Sequence, residues 1–326
     1  MKKRRWKTGL ALLAGVALFG LSACKSTSNS SSNSKVKTIG VLQLVEHDSL
    51  DDAYKGFVAG LKENGYKEGD NLKLIFQNAQ NNQDNLKSMS EKLVKEKPDL
   101  LLGIATPSAQ SLLNETQTTP IVVTAVTDLK AAKLVQSDKK PGGNVTGTTD
   151  MVPIKQQIAL LMSIVPKAKK VGIMYNSGEA NSKIQAALAK KELQKAGVTV
   201  VEKTASTTND VQQVTTSLAN NTDAIYIPTD NTFASAASVV GEIAKEKKIP
   251  VITGSVGQTN DGGLATYGID YRSLGKQTAK MAVKILKGKA SPATMPVESS
   301  TDLQLVVNKE MAKALGIDPS SIKAPK

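Results

Sequence analysis

The sequence has 326 residues but only one cysteine, Cys24, and one histidine, His47. A single cysteine excludes an intramolecular disulfide and any metal site built from several thiolates. A single histidine leaves too few ligands for a histidine-rich zinc site and no partner for a histidine-activated nucleophile. The motifs GxxxxGK[ST], GxSxG and a GxGxxG that follows a strand are also absent. We therefore expect a protein that is not an enzyme and that uses no metal or cofactor.

Aromatic residues make up only 3% of the chain, whereas the formal net charge is +13. Five of the positive charges lie within the first seven residues, so the remaining chain carries +8. Its lysines are dispersed over predicted helix surfaces, as at Lys183, Lys190 and Lys195. A basic groove with interleaved aromatic residues, as nucleic acid binding needs, is missing. We interpret the charge as a solvated surface and expect no nucleic acid partner.

The N-terminal segment has the pattern of a secretory signal, because a cluster of lysines and arginines precedes an apolar stretch at residues 9–21. The apolar run is shorter than the roughly 20 residues that span a bilayer. The sequence LSAC at its end resembles the lipobox of bacterial lipoproteins, which implies a diacylated Cys24 as the mature N-terminus. Residues 1–23 are thus predicted to be a signal peptide and residues 24–36 a lipid anchor with a flexible polar linker. A plain secretion signal with a chance cysteine is the alternative.

Strand and helix patterns alternate from residue 37 onward. Residues 38–45 read as a buried strand, and Leu50, Ala53, Phe57 and Leu61 then follow the spacing of an amphipathic helix. Further strands are predicted at residues 72–77, 99–104 and 120–125, with helices between them. This alternation favours an α/β fold with a doubly wound parallel sheet and right-handed crossovers.

The pattern then repeats. The segment AKKVGIMYN, from Ala168, matches VKTIGVLQL, from Val36. DAIYIPTDNTFAS, from Asp223, matches DLLLGIATPSAQS, from Asp99, and KIPVITGSV matches TTPIVVTAV in the same order. Such a repeat predicts two similar doubly wound lobes.

The lobes are expected to share a three-stranded hinge, with chain crossings near residues 148–153, 267–270 and 291–297. Lobe 1 is predicted to comprise residues 37–150 and 270–294. Lobe 2 is predicted to comprise residues 151–269 and 295–326.

Ligands of open α/β sheets bind beyond the carboxyl ends of the strands, and two facing lobes place both sets of strand ends on one cleft. Thr106 and Ser108 begin a predicted helix, where free backbone amides favour an anion such as an α-carboxylate. Thr127 and Asp128 follow the next strand and are expected to precede another helix. Asp230, which the repeat aligns with Thr106, has the charge to pair with an α-ammonium. The alternative for each is a helix N-cap.

Other candidates lie in loops that follow strands. Glu46 and His47 follow the first strand of lobe 1, and we interpret His47 as a cap or stacking partner rather than an acid or base. Asn176 and Asn181 follow the first strand of lobe 2, and Ser255 follows a late strand. The predicted ligand-binding set is Glu46, His47, Thr106, Ser108, Thr127, Asp128, Asn176, Asn181, Asp230 and Ser255.

Taken in order, the lipobox and the segments VEHDSLDDAYKGF, GIATPSAQ, AVTDLKAAKLV, MYNSGEANS, IPTDNT and GIDYRSLGKQTAKMAVKILKG resemble the substrate-binding lipoproteins of ABC importers, of the tryptophan/tyrosine type. The resemblance implies a type I periplasmic-binding-protein fold, an extracytoplasmic lipid-anchored location, and an ABC permease and ATPase as partners. We expect a monomer. One segment departs from the family, since DLKAAKLV, which begins at Asp128, replaces a pattern of the form DP..AGLV.

The resemblance also implies an aromatic amino acid as ligand. Its carboxylate would lie at Thr106, Ser108 and Thr127, and its ammonium at Asp128 or Asp230. The aromatic side chain would stack on one of five residues, namely His47, Tyr54, Tyr175, Phe233 and Tyr267. The same fold has two other uses. A sensor that presents a small molecule to a signalling receptor remains an alternative, whereas a regulator of the lac-repressor type is disfavoured because the secretion signal occupies the place of its DNA-binding headpiece.

Overall fold

The protein is described by a computed structural model over residues 36–300 and 302–325. The first elements are β1 (Lys37–Gln43), α1 (Asp48–Glu63), β2 (Leu72–Asn78), α2 (Gln83–Lys95), β3 (Leu100–Ile104), α3 (Thr106–Glu115), β4 (Ile121–Val126) and β5 (Val145–Thr149). There follow α4 (Ile154–Ile164), β6 (Lys170–Asn176), α5 (Ala180–Lys195), β7 (Thr199–Ala205), α6 (Val211–Ala219), β8 (Ala224–Ile227), α7 (Asn231–Ser235), α8 (Ala237–Lys247), β9 (Val251–Thr253), α9 (Val256–Asp261) and β10 (Ala265–Ile269). The last elements are α10 (Tyr271–Leu286), β11 (Glu298–Ser299), β12 (Leu303–Val307) and α11 (Lys309–Ala314).

These elements form two six-stranded sheets with the same strand order. One runs β11-β5-β4-β3-β1-β2 and the other β12-β10-β9-β8-β6-β7. All pairings are parallel in the first sheet, and in the second sheet only β12 runs antiparallel to its neighbour. The order is that of a doubly wound sheet, whose parallel strands present their carboxyl ends to one edge. The predicted fold of two similar doubly wound lobes is confirmed.

The strands at the centre of each sheet are apolar along their whole length because helices cover both faces. Every residue of β3 and β4 is buried. On α1 the apolar residues at helical spacing, including Leu50, Phe57 and Leu61, face the core, while its charged residues face outward. The hydrophobic pattern of the sequence is therefore the pattern of burial.

Helices α1 and α10 cross in close contact at two glycines. A Cβ atom on Gly56 would lie 2.0 Å from the carbonyl oxygen of Arg272, and one on Gly275 would lie 2.0 Å from that of Ala53. Only glycine permits such an approach of two backbones. The contact fixes the start of α10, and so it positions Tyr271 at the edge of the sheet where the strands end.

The chain passes between the lobes after β5, after β10 and after β11. The third passage differs from the expectation, because Glu298 and Ser299 pair with Thr148 and Thr149 of lobe 1. The expected crossing at residues 291–297 and the start of lobe 2 at residue 295 are therefore wrong. The prolines in this segment mark a turn within lobe 1, where the carbonyl of Met295 accepts a hydrogen bond from a lobe 1 threonine. Lobe 1 comprises residues 36–150 and 270–300, and lobe 2 comprises residues 151–269 and 302–325.

The helix expected after Asp128 is also absent. The Oδ1 atom of Asp128 accepts a 2.8 Å hydrogen bond from the amide of Ala131, and Lys133 has a positive φ of 59°. The segment is a compact turn that closes on itself instead of a helix.

Within residues 36–300 and 302–325 no helix combines the length and hydropathy that crossing a membrane requires. The predicted signal peptide and Cys24 lie outside the described residues.

Candidate functional site

A small cavity of about 20 Å³ lies between the lobes, where the carboxyl ends of the strands meet. This volume is far below the range for small-molecule sites, roughly 300 to 1,000 Å³, so the walls must move apart to admit a ligand much larger than water. The residues that line it come from both lobes and from both sides of the hinge. They are His47, Ser49, Leu50, Ala125, Thr127, Asp150, Asn181, Thr229, Asp230, Asn231, Ala234, Ser255 and Tyr271.

The lobe 2 wall is built around Asp230, which caps the short helix α7. Its Oδ1 accepts from the amide of Phe233 at 2.9 Å, and its Oδ2 accepts from the amide of Asn176 at 2.6 Å. The second bond ties the end of β6 to the end of β8. Asp230 thus performs the capping role that its residue type predicts, and it also lies at the cavity.

Glu179 lies behind this wall and is almost fully buried. Its carboxylate accepts hydrogen bonds from the amides of Asn231 and Thr232 and from the side-chain amide of Asn181. These bonds hold Asn181 and Asn231 in the positions from which they line the cavity. Burial, together with the negative charge of nearby Asp230, raises the pKa of Glu179 to about 8. Burial also raises the pKa of Asp230, against the effect of its hydrogen bonds.

The lobe 1 wall ends at the hinge, where Asp150 follows β5. Its Oδ2 accepts a 2.6 Å hydrogen bond from the hydroxyl of Tyr271, the first residue of α10, so the first two crossings are joined at the cavity. Burial raises the pKa of Asp150, although the hydrogen bond from Tyr271 and the side chain of Thr127 act in the opposite direction. Its Oδ1 atom is buried and has no hydrogen-bond partner.

Among the described residues, four side-chain hydrogen bonds cross from one lobe to the other around the cavity. They join Gln185 Nε2 to Thr127 Oγ1 (3.0 Å), Asn81 Nδ2 to Thr232 Oγ1 (3.1 Å), Ser49 Oγ to Ser255 Oγ (3.2 Å), and His47 Nε2 to Asn231 Oδ1 (3.2 Å). Burial lowers the pKa of His47, and its contact with Asn231 acts in the opposite direction. Because these hydrogen bonds join the two lobes directly, the lobes are in a closed arrangement.

Half of the predicted binding residues line the cavity. These are His47, Thr127, Asn181, Asp230 and Ser255. Each follows the carboxyl end of a strand, as the repeat predicted. Ser255 also caps α9 through the amide of Gln258.

The other five predicted residues do not line the cavity. Glu46 is exposed on the loop after β1, and Asp128 holds its own turn. Asn176 is committed to lobe 2, because its side chain donates to Thr232 at 2.7 Å. Thr106 and Ser108 are buried at the start of α3, and neither hydroxyl oxygen has a hydrogen-bond partner.

Most of the aromatic residues that were proposed to stack on the ligand also lie away from the cavity. Phe233 is fully buried in the core, Tyr54 packs on Phe76 with ring centroids 4.7 Å apart, and Tyr175 donates to Glu202. Of the five proposed stacking residues only His47 lines the cavity, and the structure adds Tyr271.

Asp150 and Tyr271 were not among the predicted site residues, although they lie at predicted hinge crossings. The hydrogen bond between them spans 121 positions of the chain. The sequence offered one signal that could have identified them, their position, because each begins the segment that follows a strand at a lobe boundary. Gln185 was missed because it lies within a helix rather than at a strand end.

Two lobes of one topology, closed over a polar cavity at their strand ends, define the class of two-lobed solute-binding proteins. The family model for ABC transporter substrate binding proteins matches residues 38–322. The chain belongs to this family, whose members bind solutes and are not enzymes.

Individual relatives agree with the family. The tyrosine-binding protein of Clostridioides difficile is 42% identical over 313 residues, which cover 96% of this chain and 90% of that protein. An ABC domain from Streptococcus pneumoniae, solved in complex with L-Trp, is 41% identical with a TM-score of 0.85, and the match covers 89% of this chain and 99% of that one.

An open, ligand-free substrate-binding protein with adhesive properties from Clostridium difficile has a higher identity, 47%, but a lower TM-score, 0.68. That match covers 87% of this chain and 96% of the other. The better superposition on the L-Trp complex agrees with the hydrogen bonds that join the two lobes here.

Proposed function

We propose that this protein is an extracytoplasmic lipoprotein that binds an aromatic amino acid between its lobes and delivers it to the permease of an ABC importer. The observation that carries the proposal is the closed cavity itself. Each of its two walls contributes hydroxyl groups and a buried carboxyl group. A zwitterion needs donors, such as hydroxyls, for its carboxylate and acceptors, such as carboxylates, for its ammonium. The names of the relatives, which refer to tyrosine and L-Trp, support an aromatic side chain.

The cavity offers several hydroxyls to a ligand carboxylate. Thr127 belongs to lobe 1, and Thr229 and Ser255 belong to lobe 2. In the described residues the cavity lining includes no lysine or arginine, so the carboxylate would be held by hydroxyls and backbone amides. His47 and Tyr271 provide the flat surfaces for the aromatic ring.

Ligand binding would then favour closure. A ligand that contacts both walls stabilises the closed form by its differential affinity for that state. The permease would recognise the closed surface. Lipidation at Cys24 would hold the protein at the membrane, with the polar linker as a tether.

Thermal denaturation of a chain that lacks the first 34 residues tests the proposal, with the twenty amino acids and a panel of sugars and nucleosides as ligands. A ligand that binds only the folded state raises the melting temperature by mass action. We expect a shift with tryptophan, tyrosine or phenylalanine and little shift with the other amino acids. A shift with sugars or nucleosides alone would contradict the proposal.

A further inference from the structure

Three buried carboxyl groups lie at or directly behind the cavity, those of Asp150, Glu179 and Asp230. Among the described residues that line the cavity there is no lysine or arginine to neutralise them. A buried carboxylate needs either a full set of hydrogen bonds or a cation. The three groups differ in which of these the protein itself provides.

Asp230 and Glu179 are satisfied within lobe 2. Both oxygens of Asp230 accept backbone amides, and Ser182 adds a side-chain hydrogen bond. Glu179 accepts from two backbone amides and from two side-chain amides on its neighbours. Neither carboxyl has an oxygen without a donor.

Asp150 is different. Its Oδ2 is occupied by Tyr271, but its Oδ1 has no donor, although the residue is only 3% exposed and lines the cavity. Only one other side-chain atom of the described cavity lining shares this condition, Asn181 Oδ1 on the opposite wall. The orientation of Asn181 follows from its partners, because its Nδ2 faces three oxygen acceptors. Both unpartnered atoms are thus acceptors.

We propose that Asp150, and not Asp128 or Asp230, receives the ammonium group of the ligand, with Asn181 as a second acceptor from lobe 2. This inference rests on the proposed function, since it assumes that the ligand is a primary amine. An ammonium carries three N–H donors, so it has enough to serve both acceptors and bridge the lobes. Asp150 lies at one hinge crossing and is bonded to Tyr271 beside another, so the ammonium would act directly on the hinge.

The test measures how much the protein prefers a ligand with an amino group over its analogue without one. Calorimetric titration compares L-tryptophan with indole-3-propionate, and L-tyrosine with 3-(4-hydroxyphenyl)propionate. The proteins are the unmodified chain, Asp150→Asn, Asp150→Ser, Asp230→Asn for the rival acceptor and, as the matched control, Asp128→Asn, whose side chain does not line the cavity. The preference is a ratio measured on the same folded molecules, so it does not depend on the fraction that is folded.

We expect the unmodified protein to prefer the amino acid by about 30-fold or more, the range for removing one partner of a buried charge pair. In Asp150→Asn and Asp150→Ser the preference falls to about threefold or less, whereas Asp230→Asn retains most of it. A full preference in both Asp150 variants overturns the inference. A preference lost only in Asp230→Asn overturns it and returns the ammonium to Asp230. Binding of the carboxylates without any preference for amines overturns the assignment of the ammonium while leaving a binding protein, and no binding of either class overturns the proposed function as well.

Discussion

The side-chain amide of Gln185, on a helix of lobe 2, donates a 3.0 Å hydrogen bond to the hydroxyl oxygen of Thr127 in lobe 1. Both residues are buried, and Gln185 Oε1 also accepts from the amide of Thr229. One side chain therefore joins the strand ends of the two lobes at the cavity. Such a bond exists only when the lobes are closed. We therefore expect its loss to weaken ligand affinity more than it lowers the free energy of unfolding.

Gln185→Ala should weaken ligand affinity about tenfold, because the loss of a buried hydrogen bond with its partners left unpaired costs roughly 1–3 kcal/mol. The measurement is calorimetric titration with the ligand found by thermal denaturation. Gln194→Ala, an exposed position on the same helix, serves as the control. Equal affinities for the two variants would show that this bond does not contribute to closure.

Gly257→Ala should hinder closure without harming either lobe. A Cβ atom at this position would lie 2.7 Å from Ser49 Oγ and 3.1 Å from the Ser49 amide nitrogen, across the contact between α9 and α1. We expect weaker binding and a larger radius of gyration by small-angle X-ray scattering with saturating ligand. Gly143→Ala, where nothing lies within 4 Å of the added atom, should behave like the unmodified protein. Ligand-induced compaction that is the same in all three proteins would contradict the prediction.

Asp230→Ala should lower the free energy of unfolding by about 2–3 kcal/mol, because it removes an N-cap and leaves the buried amide of Asn176 without an acceptor. Denaturant unfolding of the ligand-free protein measures the change. Asp318→Ala removes a cap at an exposed site and should cost about 1 kcal/mol or less. Similar losses for the two variants would show that burial of Asp230 does not matter.

Glu179 should make the protein less stable as pH rises. Its folded-state pKa, about 8, lies above the ordinary value of 4.5, so between these pH values the folded state binds more protons than the unfolded state. Its contribution is therefore present below about pH 4.5 and is lost as pH approaches 8. Glu179→Gln should flatten the fall of the unfolding free energy between pH 5 and 8, whereas the exposed Glu242→Gln should leave it unchanged. An unaltered slope in Glu179→Gln would exclude this carboxyl as its source.

Cys24→Ala should abolish membrane attachment. Cells that express the unmodified chain are expected to incorporate labelled palmitate into the protein and to retain it in the detergent phase of Triton X-114. The alanine variant should lose both properties, because the lipid supplies the anchor. A variant that stays in the detergent phase would show that attachment depends on another segment.

The internal repeat was sufficient to predict the fold, because each matched segment is a strand whose burial is set by its own apolar sequence. The same repeat nominated Asp230, and its position after a late strand nominated Ser255; each caps the helix that follows. It gave no access to Asp150, whose role depends on Tyr271 far along the chain. Asp128 was wrongly expected to precede a helix, because a cap-like residue after a strand can also close a turn. Local patterns thus predict strand ends well, but contacts across the hinge arise only from packing.

Among the described residues, most of the buried polar side-chain atoms without a partner belong to lobe 1. They are Gln43 Oε1, Thr106 Oγ1, Ser108 Oγ and Asp150 Oδ1, against Asn181 Oδ1 in lobe 2. Of these atoms, Asp150 Oδ1 and Asn181 Oδ1 belong to residues that line the cavity. In an open protein, water would hydrate these two groups, and closing over an empty cavity would strip that water away at roughly 1–3 kcal/mol for each group. Hydration therefore opposes closure, and a ligand promotes it by taking over the hydrogen bonds of the displaced water. The lobes share one topology, and each contributes one unpaired acceptor at the cavity, so closure is favourable when a ligand supplies donors to both.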